Sequence, residues 1–195
     1  MKAMETSVQQ LLADGMDIQT GDDPYKVFIY TSFQELATNT SHARVAKLAK
    51  EADCQSLAQM CAFIAADEAR HANAYMTFIT RILETDPNGL MLALEDMMRK
   101  KIVMPAHNLR ELGVNIGESY VHFSNAAQRI GVYTSEDYIK ILERLLEFWK
   151  IGDVVDLQDD AERARDYLMA LPGRMSRVIS RLKVPEHEYK FSWIS

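Results

Sequence analysis

Two residue types that bind metals stand three positions apart in a helical stretch of this chain. Glu68 and His71 lie within residues 26–86, a segment that contains no Gly or Pro. On a helix, side chains three positions apart project from one face. A Glu-x-x-His pair of this kind is half of the ligand pattern of a carboxylate-bridged di-iron site in a four-helix bundle. This spacing is common by chance, so it indicates a metal site only if another ligand lies opposite it on a neighbouring helix.

Glu35 is the residue expected to lie opposite. The segment around residues 50–53 favours a chain reversal, and Asp53 is predicted to cap the helix that follows. Glu35 and Glu68 stand at nearly equal distances from this reversal, roughly 25 Å along each helix at about 1.5 Å per residue. The sequence therefore predicts that the two carboxylates come level on paired antiparallel helices.

A non-metal interpretation stays open for each of these residues. Glu35 lies on a face of apolar or small residues, where an ionised carboxylate needs either a metal or an Arg or Lys partner. His71 could be a core histidine that is hydrogen-bonded to a backbone or carboxylate group. Asp67 could hold the second nitrogen of a ligating histidine, or it could be an ordinary solvated acid.

Composition limits the class of protein. The 195 residues suffice for one domain, and a formal net charge of -6 with scattered Lys and Arg argues against broad nucleic-acid binding. No apolar run reaches the roughly 18 residues that would span a bilayer, so no membrane insertion is expected. The first residues are not followed by the apolar core of a secretory signal. Cys54 and Cys61 would lie about 10 Å apart on one helix, which predicts free thiols in a reducing compartment.

Helical periodicity dominates the chain, and no segment alternates with the period of a strand over a strand's length. The predicted fold class is therefore all-α, with a single domain over residues 1–183 and an extended tail over 184–195. Pro105 is expected to end or kink a helix, and Pro172-Gly173 to separate two helices. The predicted helices cover residues 3–13, 25–50, 53–84, 90–104, 117–130, 135–151, 159–171 and 174–183.

The densest basic cluster is Arg99-Lys100-Lys101. One interpretation is a solvated helix surface. The other is a docking site for a small acidic protein on an otherwise acidic chain.

Several longer strings resemble one family, the soluble acyl-[acyl-carrier-protein] desaturases of the plastid stearoyl type. The resemblance extends in order over nearly the whole chain. The matching strings are FIYTSFQE at 28–35, DEARH at 67–71, DMMRKKI at 96–102, MPAH at 104–107, AQRIGVYT at 127–134 and FSWI at 191–194.

The resemblance implies a ferritin-like helical bundle with two irons held by four carboxylates and two histidines. Glu35, Glu68 and His71 match three of these ligands, Thr38 matches a hydroxyl residue near the oxygen-binding face, and Asp67 matches an acid behind the ligands. The implied reaction is the oxygen-dependent introduction of a cis double bond into an acyl chain carried by acyl carrier protein. The implied electron donor is of the ferredoxin type.

The resemblance also implies a surface and a location. Arg70, Arg99, Lys100 and Lys101 are the residues expected to bind the carrier protein. A member of this family is expected to be soluble, in the plastid stroma of a plant or in the cytoplasm of a bacterium.

The chain departs from the family pattern in its ligand count. In the family, another Glu and another Glu-x-x-His come earlier, and this sequence has no second Glu-x-x-His. It is therefore expected to be the C-terminal portion of a desaturase, truncated relative to its parent enzyme. Two alternatives are a homodimer in which each chain supplies half of the iron ligands, and an inactive module that binds the carrier protein.

Overall fold

A computed structural model of the protein describes residues 2–108, 116–183 and 189–191. All regular secondary structure in these ranges is helical, which confirms the all-α prediction. Two short 3-10 turns, Pro105–Asn108 and Ile151–Asp153, accompany the α-helices. The α-helices are α1 (Lys2–Asp14), α2 (Pro24–Glu51), α3 (Gln55–Thr85), α4 (Pro87–Lys100), α5 (Ile116–Arg129), α6 (Ser135–Phe148) and α7 (Asp159–Ile179).

The long hairpin of α2 and α3 is the most extensive helix–helix packing in the described structure. The Asp23 carboxylate caps α2 by accepting the N–H groups of Tyr25 and Lys26 at 2.9 and 3.3 Å, with Pro24 in the first turn. The prediction that Asp53 caps α3 is wrong. Asp53 has a left-handed backbone (φ 56°) that reverses the chain, and Cys54 occupies the cap position without a side-chain hydrogen bond.

The turn between α3 and α4 depends on Asp86. Asp86 ends α3 and begins α4, where its carboxylate accepts the N–H of Gly89 at 2.9 Å. The predicted helix over residues 90–104 is therefore wrong at both ends. Pro87 takes the first helical position, where its missing N–H is no loss, and the left-handed backbone of Lys101 (φ 64°) ends the helix before Pro105.

The core lies between α2 and the layer formed by α4, α6 and α7. Phe33, Leu94, Leu142 and Leu168 are fully or almost fully buried in it. The indole N–H of Trp149, after α6, donates to the Met76 carbonyl of α3 at 3.0 Å and ties this layer to the hairpin. One side of α3 faces solvent and leaves Met60, Phe63 and Phe78 exposed.

Pro172 lies inside α7, so the predicted break at Pro172-Gly173 is wrong. A proline in a helix loses one hydrogen bond and costs about 3 kcal/mol in an exposed helix interior. Here Ala164, Leu168 and Pro172 are buried on the face of α7 that packs on the core. Burial of that face outweighs the lost bond and keeps the helix continuous.

Three other predictions concern single features. Cys54 is exposed and Cys61 is buried, and neither forms a disulfide, which confirms the free thiols. Among the described helices, none is long and apolar enough to cross a membrane. Most of the predicted tail over 184–195 lies outside the described residues, so the division into a domain and a tail stays a prediction.

Candidate metal site

Glu35 of α2 meets Glu68 and His71 of α3 across the hairpin. Each residue offers one oxygen or nitrogen, and these three atoms lie within 4.8 Å of one another. His71 Nδ1 is 3.4 Å from Glu35 Oε2 and 3.7 Å from Glu68 Oε2. The sequence predicted that the two carboxylates come level, and the folded hairpin brings them together.

Burial makes this cluster electrostatically unfavourable without a cation. The side chains of Glu35 and Glu68 are only 14% and 19% exposed. Burial, reinforced by the neighbouring Glu68 carboxylate, raises the pKa of Glu35 to about 7, although the nearby His71 opposes the shift. Glu35 Oε2 is buried and has no hydrogen-bond partner among the described residues.

The structure does not show the Arg or Lys partner that was the alternative to a metal at Glu35. In the part of the chain that the structure describes, no ion pair joins Glu35 or Glu68 to a Lys or Arg; His71 is the basic group beside both. Two carboxylate oxygens and one imidazole nitrogen form a donor set that suits a divalent transition metal such as iron. Three donors also leave other coordination positions open.

One hydrogen bond fixes the register of the hairpin beside this cluster. Asn39, one turn beyond Glu35, donates its side-chain N–H to the Ala65 carbonyl of α3 at 2.7 Å. Ala65 precedes Glu68 by three residues, so the bond lies next to the ligand atoms. Sequence reasoning missed Asn39, whose only signal was an amide one turn after Glu35 on the same helix face.

Thr38 and Asp67 are the other residues predicted at this site. Thr38 lies one turn after Glu35, and its hydroxyl donates to the carbonyls of Gln34 and Glu35 at 3.0 and 3.1 Å. The carboxylate of Asp67 accepts a hydrogen bond from the Arg70 guanidinium, and among the described residues no hydrogen bond or ion pair joins it to His71.

The predicted carrier-binding cations are mostly paired with acids of their own helix. Arg99 binds Glu95 at 2.6 Å, and Lys100 binds Asp96 at 2.7 Å. Arg70 is paired with Asp67, as described above. Lys101 is exposed after the end of α4.

The ligand-bearing face of the hairpin is open on one side. The His71 side chain is 57% exposed, unlike the two glutamates. Beyond it, Phe28, Tyr75 and Phe78 form an aromatic cluster with ring centroids 5.5–6.2 Å apart. The described residues contain no other cluster of three acidic, His or Cys side chains arranged to hold a metal. Further helices could pack on this face.

Comparison with known proteins assigns the family. The family model described as fatty acid desaturase matches residues 1–195. The chain belongs to the fatty acid desaturase family. This membership confirms the resemblance found in the sequence, and the all-helical structure agrees with the ferritin-like helical fold expected for a desaturase.

Several curated plant proteins are similar to this desaturase-family chain over its full length. Stearoyl-[acyl-carrier-protein] 9-desaturase 5, chloroplastic, of Arabidopsis thaliana is 44% identical and is covered over 50% of its own length. The chloroplastic stearoyl-[acyl-carrier-protein] 9-desaturase of Ricinus communis is 45% identical, with 49% of its length covered. An acyl-[acyl-carrier-protein] desaturase, chloroplastic, of Cucumis sativus is 44% identical, with 49% covered. The chain spans about half the length of these relatives.

Proposed function

We propose that this chain forms the α2–α3 half of the di-iron centre of an acyl-[acyl-carrier-protein] desaturase. One observation carries the proposal: Glu35, Glu68 and His71 bring their donor atoms within 4.8 Å, and a buried Glu35 oxygen has no hydrogen-bond partner in the described structure. The names of the curated relatives support the activity and the acyl-carrier-protein substrate. They also support a plastid location if the source is a plant.

Iron is the metal that this activity requires. When bound, a di-iron centre supplies the chemistry by which dioxygen removes two hydrogens from adjacent methylenes of the acyl chain. Reduction of one dioxygen to two waters takes four electrons and four protons. The substrate C–H bonds supply two of each, a ferredoxin-type donor supplies two electrons, and solvent supplies the remaining two protons.

The residues of this chain would position that chemistry. Glu35, Glu68 and His71 would hold the metal through two carboxylate oxygens and one imidazole nitrogen, a donor set that suits a divalent transition metal. Phe28 and Phe78 would shield the site from water beside an apolar substrate. Thr38, one turn from Glu35, is assigned the role of a hydroxyl that holds or transfers a proton near the oxygen-binding side.

Two further assignments concern the surroundings of the ligands. Asp67 is assigned to orient His71, which requires its carboxylate to leave Arg70 when the site is filled. The acidic carrier protein is assigned to bind at four basic residues: Arg70, Arg99, Lys100 and Lys101. The first three now pair with acids of this chain, so they would have to exchange these partners for carboxylates of the carrier protein.

A complete di-iron site of this type needs one more Glu and one more Glu-x-x-His. In the leading proposal a second helix pair, corresponding to the half of the relatives that this chain does not match, packs on the open face of the hairpin. A second candidate is an isologous homodimer in which another copy supplies Glu35, Glu68 and His71. The exposed Phe63 and Phe78 favour burial of this face in either assembly. A third candidate is a metal-free module that only binds the carrier protein.

Native mass spectrometry after anaerobic loading with ferrous iron separates these candidates. The chain is measured alone and together with the unmatched half of the Ricinus communis relative. The leading proposal expects two irons in the mixed assembly, and their loss in Glu68→Ala but not in Glu84→Ala, an exposed acid of the same helix. A dimer of the chain alone with two irons would establish the second candidate. Absence of iron from every assembly would contradict both metal sites.

A further inference from the structure

Small side chains dominate the buried face of the first half of α3. Ala58, Cys61 and Ala65 are buried there, and Ala72 follows two turns later on the same helix. The main packing partner of α3 in the described structure is α2. Side chains of this size let two helices approach closely, but they form shallow ridges that resist sliding or rotation of one helix against the other only weakly. The register of the hairpin therefore depends on a contact with a defined direction.

Asn39 supplies such a contact. Its side-chain N–H donates to the Ala65 carbonyl at 2.7 Å. Apart from the contacts among Glu35, Glu68 and His71, this is the one side-chain hydrogen bond that joins α2 to α3 in the described part of the chain. Ala65 is 7% exposed, so the bond is shielded from water, and a hydrogen bond in such surroundings is electrostatically stronger than one in solvent.

The bond lies one helical turn from the two carboxylates. Asn39 follows Glu35 by four residues and Ala65 precedes Glu68 by three. At about 1.5 Å per residue, these offsets are roughly 4.5–6 Å along the helices. Because α2 and α3 are antiparallel, both offsets point towards the hairpin turn. The bond therefore fixes the separation and register of the two helices almost at the level of the ligand oxygens.

The ligand carboxylates oppose this arrangement. The donor atoms of Glu35, Glu68 and His71 lie within 4.8 Å of one another, and the two glutamate side chains are mostly buried. Two carboxylates at this distance, away from bulk water, repel each other with little screening. A small sliding or rotation of α2 against α3 would relieve the repulsion. The hydrogen bond of Asn39 resists that movement.

We propose that Asn39 is a positioning residue of the metal site, which holds Glu35 and Glu68 together against their own repulsion. The inference rests on the proposed function, since it assumes that these carboxylates bind a metal. In the metal-free protein the Asn39 bond maintains the closeness that a metal would otherwise have to impose. A metal then binds donors that are already in place, and its affinity is higher for that reason.

A double-variant comparison in the metal-free protein tests the opposition between the bond and the carboxylates. Asn39→Leu removes the donor and keeps a branched side chain of similar shape, and Glu68→Gln removes one ligand charge. Urea denaturation of the unmodified chain, both single variants and the double variant is followed at pH 8 with a chelator. Separation of the carboxylates should offset the lost bond only while Glu68 is present. Asn39→Leu should therefore lower the urea midpoint less than half as much in the unmodified chain as in Glu68→Gln. Equal effects in both backgrounds would leave Asn39 with a purely structural role and overturn the proposal.

Metal affinity is the second readout. Anaerobic titration with Co²⁺, followed by visible absorption, measures the Kd of the chain alone and of its assembly with the unmatched half of the Ricinus communis relative. We expect Asn39→Leu to weaken Co²⁺ binding at least about fivefold, by the loss of one shielded hydrogen bond, with unchanged helical circular dichroism. Thr40→Val is the matched control, because the Thr40 hydroxyl donates to the Leu36 carbonyl of its own helix at 3.0 Å. Its Kd should stay within about twofold of that of the unmodified chain.

A smaller variant guards against overpacking by leucine. Asn39→Ala lacks the donor and adds no bulk, so it should weaken Co²⁺ binding and shift the urea midpoint in the same pattern as Asn39→Leu. Unchanged Co²⁺ affinity in both Asn39 variants would refute this inference and leave the metal site of the proposed function intact. Failure of the unmodified chain to bind Co²⁺, alone and in the assembly, would refute that metal site and this inference with it.

Discussion

His71 Nδ1 lies 3.4 Å from Glu35 Oε2, across the interface between α2 and α3. This contact joins the two helices. It adds little stability to the metal-free protein, because Glu35 is buried beside a second carboxylate, Glu68, and its ionised form is therefore unfavourable. A site built to receive a cation is expected to cost stability while the cation is absent.

Glu35→Gln should stabilise the metal-free protein at alkaline pH. The pKa of Glu35 is raised to about 7 in the folded protein, mainly by burial and then by Glu68, whereas an unfolded Glu titrates near 4.5. Between these values the folded state keeps a proton that the unfolded state has lost, so stability falls as pH rises and levels off above pH 7. The glutamine has no such penalty and should be more stable by about 2–3 kcal/mol at pH 8, with little difference near pH 5.

Urea denaturation in the presence of a chelator, from pH 5 to pH 8, measures this effect. Glu84→Gln, on the exposed face of α3, serves as the control and should follow the unmodified protein across the range. Parallel stability curves for Glu35→Gln and the unmodified protein would refute the unfavourable burial of Glu35.

Arg44→Met should destabilise the attachment of α6 to α2. The Arg44 guanidinium donates two hydrogen bonds to Asp137, at 2.5 and 2.6 Å, and the Asp137 side chain is only 6% exposed. Removal of the arginine leaves a nearly buried carboxylate that retains only its capping bonds to Thr134, at an expected cost of about 2–3 kcal/mol. Arg44→Lys keeps the charge but not the two-pronged geometry, so its cost should be about half.

The free energy of unfolding from urea titrations at pH 7 distinguishes these variants. Lys47→Met, one turn further along the exposed side of α2, is the matched control and should change stability by less than about 0.5 kcal/mol. Equal effects of Arg44→Met and Lys47→Met would mean that the ion pair contributes nothing to the packing of α6.

Gly89→Ala should destabilise α4 although alanine is normally the better helix former by about 1 kcal/mol. A Cβ at Gly89 would collide with the Asp86 carboxylate, which caps this helix through Gly89 N–H. Displacement of Asp86 would also break its hydrogen bond from the Tyr25 hydroxyl, at 3.1 Å. The lost cap and hydrogen bond together should exceed the gain in propensity and leave a net cost of about 1 kcal/mol.

Thermal unfolding followed by circular dichroism measures this cost. Asp86→Ala removes the same cap and hydrogen bond without the gain in helix propensity, so it should lower Tm by more than Gly89→Ala. The double variant should be close to Gly89→Ala, because both substitutions remove one set of interactions and only Gly89→Ala adds propensity. An increase in Tm for Gly89→Ala would show that helix propensity outweighs the cap.

Trp149→Phe should weaken the connection between the core layer and the hairpin. The indole N–H donates to the Met76 carbonyl inside the core, and phenylalanine keeps an aromatic ring but not the donor. We expect a loss of about 1–2 kcal/mol in the free energy of unfolding. Phe148→Leu, at the exposed neighbouring position, should change it by less than half as much. Comparable losses in both variants would contradict a specific role for the indole bond.

The local sequence determined which residues share a helix face. The three-residue spacing of Glu68 and His71 and the cap formed by Asp23 before Pro24 depend only on the geometry of one helix. The equal distances of Glu35 and Glu68 from the hairpin turn also predicted their meeting, because helical rise is nearly constant. The free thiols and the all-α class followed from the same kind of local information.

Tertiary structure decided the features that depend on contacts between distant parts of the chain. Helical periodicity does not specify that Asn39 binds Ala65 and sets the hairpin register. Pro172 signalled a break, yet burial of one face of α7 outweighs one lost hydrogen bond. The contact of the Arg99 guanidinium of α4 with the Tyr167 ring of α7 likewise requires the two helices to pack side by side. In each case the structure reflects a balance of free energies between the local preference of a segment and its burial or pairing with distant residues. The second contribution exists only in the folded chain.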